Sequence, residues 1–103
     1  MISVHDRFVV PMEKIKKFCK NNYIKKLSIF GSILREDFHD DSDIDILVVF
    51  DSNHLPTLFE LADMEARLSS LLQGRKVDLR TLEDLSRYFR NEILDVSEVL
   101  YVE

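Results

Sequence analysis

The sequence predicts one small α/β (α+β) domain over residues 1–103, with a three-stranded mixed sheet flanked by about four helices in the order α-β-α-β-α-β-α. Three observations predict this class. The 103 residues are the length of a single domain. A hydrophobic fraction of 46% is enough for one core. Short β-type runs also alternate with longer stretches whose apolar residues recur at helical spacing.

The first half of the chain contains the strongest strand signal. A helix is expected from Met12 to Tyr23, followed by a short strand from Leu27 to Phe30 and by a loop or short helix from Ile33 to Ser42. Residues 43–50 alternate in polarity and then become continuously apolar, as in a central strand. The first helix would face the core through one apolar stripe, formed by Met12, Ile15, Phe18, Cys19 and Tyr23.

The second half predicts two more helices and one strand. Thr57 and Glu60 have the spacing of a capping box, and Gly74 is expected to end that helix as its C′ residue. A short strand is expected from Lys76 to Arg80. A last helix is expected after a cap formed by Thr81 and Asp84, with a core-facing stripe of Leu82, Leu85, Phe89, Ile93, Val96 and Leu100.

Composition and charge exclude several classes of protein. The lone cysteine, Cys19, excludes a disulfide framework and a cysteine-rich metal site. No apolar run approaches the roughly 20 residues of a membrane span, and the N-terminal residues are unlike a signal peptide, so we expect a cytoplasmic protein without membrane contact. A net charge of −5 argues against direct nucleic-acid binding. The six lysines within residues 13–26 are interpreted as a solvated face.

The acidic residues are more informative, since residues 36–51 contain seven of them and no lysine or arginine. On a strand, Asp43 and Asp45 would project from the same face with Cβ atoms about 6.6 Å apart. Two such carboxylates repel each other unless a cation neutralises them or they keep their protons. A hard divalent ion such as Mg²⁺ suits this pair, because it prefers carboxylate oxygens.

Asp78 is the third candidate carboxylate. If Val77 and Leu79 face the core, Asp78 lies on the opposite face of its strand. It would approach Asp43 or Asp45 if residues 76–80 pair beside residues 43–50 in a suitable register. Three convergent carboxylates could hold two metal ions, with Asp78 near enough to act as a general base. Arg80 shares the face of Asp78 and is interpreted as a salt-bridge partner.

Upstream, Gly31 and Ser32 follow the short strand. Glycine allows a phosphate to approach the backbone, and the serine adds a hydroxyl donor. Arg35 would share their face if the segment is helical, and a guanidinium suits phosphate oxygens. Gly-Ser alone is usually an ordinary turn, and Asp-x-Asp alone is usually solvated at an exposed edge. The informative feature is their combination, in which a strand, Gly-Ser and an arginine are followed by Asp-x-Asp at the start of a buried strand.

These motifs resemble the minimal nucleotidyltransferases of the DNA polymerase beta-like superfamily, often called MNT or MntA-type proteins. The resemblance covers the motif Gly31-Ser32-Ile-Leu-Arg35, then residues 41–48 (Asp-Ser-Asp-Ile-Asp-Ile-Leu-Val), then residues 77–79. It implies that Gly31 and Ser32 hold the triphosphate, that Arg35 faces phosphate, and that Asp43, Asp45 and Asp78 bind Mg²⁺. Glu36 stands where the family commonly has glycine.

The resemblance also implies a function. Small members of this family are commonly antitoxins that transfer AMP from ATP to a tyrosine of a HEPN toxin and so silence its ribonuclease. We expect this activity here, with Mg²⁺ as cofactor, a HEPN-family protein as partner and homo- or hetero-oligomers left open. Two alternatives are an antitoxin that acts by occlusion with a silent transferase site, and nucleotidyl transfer to a small hydroxylated molecule.

Overall fold

The computed structural model describes residues 3–7, 9–35 and 42–103. This part of the chain contains three α-helices and four β-strands, joined in places by single 3₁₀ turns at Val4–Asp6, Gly31–Leu34 and Leu82–Asp84. The strands are β1 (Ile24–Phe30), β2 (Ile44–Phe50), β3 (Val77–Arg80) and β4 (Glu98–Val102), and the helices are α1 (Met12–Asn21), α2 (Leu58–Leu71) and α3 (Arg90–Val96).

All four strands belong to one mixed sheet with the order β3-β2-β1-β4. β1 pairs antiparallel with β2 and with β4, whereas β2 and β3 are parallel. The parallel pair requires a crossover, which α2 supplies between β2 and β3. The α/β class and the mixed sheet are therefore confirmed. The expected count of three strands and about four helices is wrong, because the sheet has a fourth strand and the described residues form only three α-helices.

The error lies at the end of the chain. Residues 98–102 (Glu-Val-Leu-Tyr-Val) were expected to continue a helix, but they pair with β1 as an edge strand. Their β-branched and aromatic side chains favour this conformation. The Glu98 carboxylate also accepts hydrogen bonds of 2.7 Å from the Ser3 hydroxyl and from the Val4 backbone N–H, which fastens this strand to the N-terminal turn.

The predicted stripe of the last helix is consequently not a core stripe. Its members are distributed over a 3₁₀ turn, an irregular segment and the seven-residue α3, in which no residue is buried. Phe89 and Val96 are exposed, at 57% and 43%. Leu100 alone of this stripe is buried, and it reaches the core from a strand.

The core lies between the sheet and the two longer helices. Ile44, Ile46 and Val48 point from one face of β2 into this layer, where α1 and α2 cover them. Ile15, Phe18 and Cys19 of the predicted α1 stripe reach the core, whereas Met12 and Tyr23 are exposed. Met64 and Leu68 of α2 also belong to the core. Burial raises the pKa of the Cys19 thiol to about 12, which fits its interpretation as a small core residue. The middle of the predicted α1 stripe is therefore confirmed, and the expectation for its two ends is wrong.

The helix starts follow their local signals more closely than the helix ends. The Thr57–Glu60 capping box is confirmed: the Thr57 hydroxyl accepts from the Glu60 N–H, and the Glu60 carboxylate accepts from the Thr57 N–H. α2 ends at Leu71, before Gln73 and Gly74, which both have positive φ. Gly74 thus follows the first left-handed residue and is not the C′ residue itself. No helix in the described ranges is long and apolar enough to cross a bilayer.

Candidate active site

The parallel pairing of β2 and β3 decides where the acidic residues meet. Asp45 is the register partner of Asp78, so the two side chains leave the same face of neighbouring strands about 5 Å apart. The pairing begins one residue earlier, where the Ile44 N–H donates to the Lys76 carbonyl at 2.8 Å. Asp43 lies two positions before Asp45 and precedes the first residue of β2. The register that the sequence argument required is therefore present.

The central carboxylate, Asp45, is in an unfavourable environment for a charge. Its pKa is raised, first by burial and then by the negative charges of Asp78 and Asp43. Arg80 and Arg35 act in the opposite direction and lower it. The net effect is a carboxylate that binds a proton or another cation more readily than an exposed aspartate would.

The two outer carboxylates each have a cation beside them. A guanidinium nitrogen of Arg80 donates to Asp78 Oδ2 at 3.0 Å. The Lys76 ammonium lies 3.9 Å from Asp43 Oδ2 and is more exposed, at 81% of its side chain. The salt-bridge interpretation of Arg80 is confirmed. Lys76 was not among the predicted site residues, although its position just before the strand of Asp78 places it at the same end of the sheet.

Gly31 brings the backbone of the preceding turn against Asp45. The register partner of Asp45 on β1 is Phe30, so Gly31 follows directly at this end of the sheet. Gly31 has φ +83°, and a Cβ at this position would overlap Asp45 Oδ2 and lie 3.0 Å from Asp45 Cγ. Any other residue would therefore be strained in its backbone and would displace the carboxylate. This close approach is a specific reason for glycine here.

Ser32 and Arg35 follow on the same turn. The segment Gly31–Leu34 is one 3₁₀ turn, and Arg35 then adopts an extended conformation while its N–H donates to the Ser32 carbonyl at 2.9 Å. The condition under which Arg35 would share the face of Ser32, a helix that includes Arg35, is therefore not met, yet its positive charge acts on Asp45. Glu36 and Asp41 lie outside the described residues, as do the other acids from 37 to 40.

The arrangement is not a preformed metal cage. Among the described residues, no three Asp, Glu, His or Cys side chains already converge in the way a metal ion requires. The Asp43 and Asp78 side chains are instead engaged with Lys76 and Arg80. The oxygen ligands that Mg²⁺ prefers are nevertheless all drawn from one end of two paired strands. This donor set fits Mg²⁺ once the outer carboxylates turn from their ion pairs.

An apolar cavity of about 280 Å³ lies further along the sheet. The C-terminal end of β2 and the residues after β3 form part of its wall, and none of the predicted site residues does. Its lining includes Val48, Phe50, Leu55, Pro56 and Leu82. The carboxylates are thus separate from this apolar space.

Comparison with known proteins identifies curated relatives. A candidate protein adenylyltransferase of Methanocaldococcus jannaschii is 34% identical over 92 residues, which cover 88% of this chain and 90% of that protein. The protein adenylyltransferase MntA of Thermococcus cleftensis is 35% identical over 79 residues, covering 77% of this chain and 75% of MntA.

Solved structures share the fold. A candidate minimal nucleotidyltransferase has a TM-score of 0.68 and 29% identity, covering 84% of this chain and 85% of its own. The complex of a toxin and an antitoxin with AMP-PNP has a TM-score of 0.70 and 23% identity, and the match covers 90% of this chain and 74% of that chain. A Shewanella oneidensis complex of a tri-AMPylated HEPN toxin with an MNT antitoxin has a TM-score of 0.63 and 21% identity, and the match covers 89% of this chain and 70% of that chain.

The matching family model is described as "Polymerase beta, Nucleotidyltransferase" and spans residues 13–103. It includes every strand of the sheet and all of the predicted site residues. With relatives above 30% identity over most of their length, this match is decisive. The chain belongs to the polymerase beta nucleotidyltransferase family.

Proposed function

We propose that this protein is a Mg²⁺-dependent adenylyltransferase that transfers AMP from ATP to a tyrosine hydroxyl of a HEPN toxin and thereby acts as its antitoxin. The observation that carries the proposal is the register of Asp45 with Asp78, with Asp43 two residues before Asp45 and directly ahead of β2. The adenylyltransferase names of the relatives support the reaction. The neighbouring complex with an AMPylated HEPN toxin supports the partner.

In this proposal Asp43, Asp45 and Asp78 are the ligands of the divalent ions. Bound Mg²⁺ would supply neutralisation of the charge on the phosphates and activation of the attacking oxygen. The raised pKa of Asp45 supports this role, because burial together with two neighbouring carboxylates leaves a charge that a cation would stabilise. The remaining chemistry belongs to the side chains of this chain.

We assign the triphosphate to the turn after β1. Gly31 carries no Cβ, so its backbone can approach phosphate oxygens as closely as it approaches Asp45. The Ser32 hydroxyl is a further donor, and Arg35 contributes a positive charge that already acts on Asp45. These residues would hold the α-phosphate near the carboxylates.

The transfer itself is an in-line substitution at phosphorus. The tyrosine oxygen forms a bond to the α-phosphorus while the bond from that phosphorus to the bridging oxygen of the β-phosphate breaks. Pyrophosphate leaves with the electron pair, and the tyrosine proton passes to the Asp78 carboxylate, which acts as the general base. The products are an AMP-tyrosine ester and pyrophosphate.

The test is transfer of AMP to the product of the neighbouring gene, which the proposal requires to be a HEPN toxin. Incubation of the two proteins with ATP and Mg²⁺ should raise the toxin mass by whole AMP units and abolish its ribonuclease activity. The double variant Asp43→Asn, Asp45→Asn should lose this transfer by at least about a hundredfold, since metal ligands contribute several kcal/mol. Asp63→Asn is the matched control, because Asp63 pairs with Arg67 on the exposed surface of α2.

Two results would contradict the proposal. The first is an unchanged toxin mass with wild-type protein and ATP. The second is neutralisation of the toxin by the double variant as complete as by wild type, which would mean that binding alone blocks the toxin. AMP transfer to a small hydroxylated compound, with none to the toxin, would show that the acceptor is wrong while the catalytic site is right.

A further inference from the structure

Arg80 supplies the positive charge beside Asp78 in this structure. Its guanidinium donates to Asp78 Oδ2 at 3.0 Å, and 48% of its side chain remains exposed. In the parallel register Arg80 is opposite Leu47, two residues beyond the Asp45–Asp78 pair. The side chain therefore reaches back along the open face of the sheet to contact the carboxylate.

The surroundings of Arg80 offer it few other stable positions among the described residues. Asp84 is the nearest alternative acid on the same segment, but its carboxylate already accepts from the Thr81 N–H and hydroxyl at 3.0 and 3.1 Å. Asp45 interacts with Arg80 through charge, without a hydrogen bond between them. Asp78 is thus the principal partner of the guanidinium in this state.

A divalent ion bound by Asp78 would repel the nearby guanidinium and draw charge from the carboxylate, so the two cations compete for Asp78 and the 3.0 Å contact with Arg80 is weakened. We propose that Arg80 is a positioning residue: it holds Asp78 until a divalent ion binds, and it then turns its guanidinium to the phosphates of the nucleotide. This inference rests on the proposed function, since it needs the metal site. It adds a role for a residue outside the Gly-Ser and Asp-x-Asp motifs.

The exchange has two consequences of opposite sign. Without nucleotide, Arg80 competes with the ion, so its removal should strengthen metal binding. With nucleotide, the released guanidinium would donate to phosphate oxygens, for which its planar fork is suited, so its removal should weaken nucleotide binding. A purely structural salt bridge would weaken both or change neither.

The experiment measures Mn²⁺ binding by electron paramagnetic resonance, and AMP-PNP binding in saturating Mn²⁺ by calorimetry. Arg80→Gln should bind Mn²⁺ about twofold to fivefold more tightly than wild type, the range expected for an exposed ion pair. It should bind AMP-PNP about tenfold more weakly, as expected for loss of a charged hydrogen bond. Arg80→Lys keeps the positive charge that competes with Mn²⁺, so its Mn²⁺ affinity should be close to that of wild type.

Arg67→Gln is the matched control, because it removes an arginine whose nitrogen lies 2.9 Å from Asp63 on α2. It should change neither affinity, and circular dichroism should show every variant folded. Unchanged or weaker Mn²⁺ binding by Arg80→Gln would overturn the proposal. Tighter Mn²⁺ binding with unchanged AMP-PNP binding would overturn its second half, the phosphate contact.

Failure of the proposed function would give a different result. In that case wild-type protein would not bind Mn²⁺, or Asp45→Asn would bind it as tightly as wild type does. Either result would mean that the metal site itself is wrong. If wild type binds Mn²⁺ through Asp45 and Arg80→Gln has no effect, the site stands and only the role of Arg80 is wrong.

Discussion

The two faces of the sheet are formed by alternate residues of the same strands, and they differ most at the start of β2, since Leu47 further along the face of Asp45 is itself buried. On β2, Ile44, Ile46 and Val48 face the helices and are at most 1% exposed. Asp45, between two of them, faces the other way toward Asp78 and Arg35. One face holds the apolar core, and the other carries charges at one end of the strand pair.

This difference shows that neighbouring residues of one strand can have separate roles, one in the stability of the fold and the other in the chemistry of the site. Ile46 contributes through burial of its side chain, whereas Asp45 carries a charge that burial and its acidic neighbours destabilise. Substitutions at adjacent positions should therefore have opposite effects on the free energy of unfolding. The following predictions test that separation, beginning with the largest expected effect.

Ile46→Ala should be the most damaging change to stability. Ile46 is fully buried, and its truncation removes apolar contacts and leaves a cavity, with an expected loss of about 2–5 kcal/mol. Urea unfolding followed by circular dichroism measures this loss. Val99→Ala is the control, because Val99 is 46% exposed and its truncation should change stability by less than about 1 kcal/mol. Equal losses for the two variants would mean that the packed face is not the principal core.

Gly31→Ala should have the second largest effect on stability. The left-handed backbone at Gly31 costs an alanine about 1–2 kcal/mol, and overlap with the Asp45 carboxylate adds to this cost. Gly74→Ala separates the two causes, because Gly74 has φ +77° and an added Cβ would meet nothing within 4 Å. Urea unfolding should show the greater loss for Gly31→Ala, and Mn²⁺ binding should weaken in that variant alone. Equal behaviour of the two variants would contradict the close approach of Gly31 to Asp45.

Asp45→Asn should have the smallest effect and the opposite sign, a gain in stability. The pKa of Asp45 is raised in the folded protein, so its favourable contribution is complete below the usual aspartate pKa and is lost as pH rises through the folded value. Above the usual aspartate pKa this environment lowers the stability of the fold, and asparagine removes that cost. The melting temperature of Asp45→Asn should exceed that of wild type at pH 7 and converge with it below about pH 4. A variant less stable than wild type at pH 7 would contradict the unfavourable environment of Asp45.

The parts of the fold that the sequence predicted are those in which local pattern and burial agree. The apolar residues of β2 and the middle of the α1 stripe lie in the packed layer, and the exposed capping box of α2 depends only on residues within one turn. Residues 98–102 differ, because their apolar residues, which continue the helical spacing, are also good strand formers. Pairing of Val99 and Tyr101 with β1 decides their structure, and this long-range contact leaves no periodic signal.

The candidate site shows the same limit. Its acids and the glycine were found from their types and spacing, and their proximity followed from assuming that two strands pair. The ion pairs of Asp43 with Lys76 and of Asp78 with Arg80 depend on side-chain conformation. The sequence suggested the second, because Arg80 lies two residues beyond Asp78 on one strand face. It gave no comparable signal for Lys76, whose partner is distant in sequence.

The most direct test of the central claim is a crystal structure with Mn²⁺ and AMP-PNP, in which anomalous scattering locates the metal. The account predicts a manganese peak within bonding distance of carboxylate oxygens of Asp45 and Asp78, with phosphate oxygens completing its coordination. A nucleotide bound elsewhere, or a peak that none of Asp43, Asp45 and Asp78 touches, would contradict it.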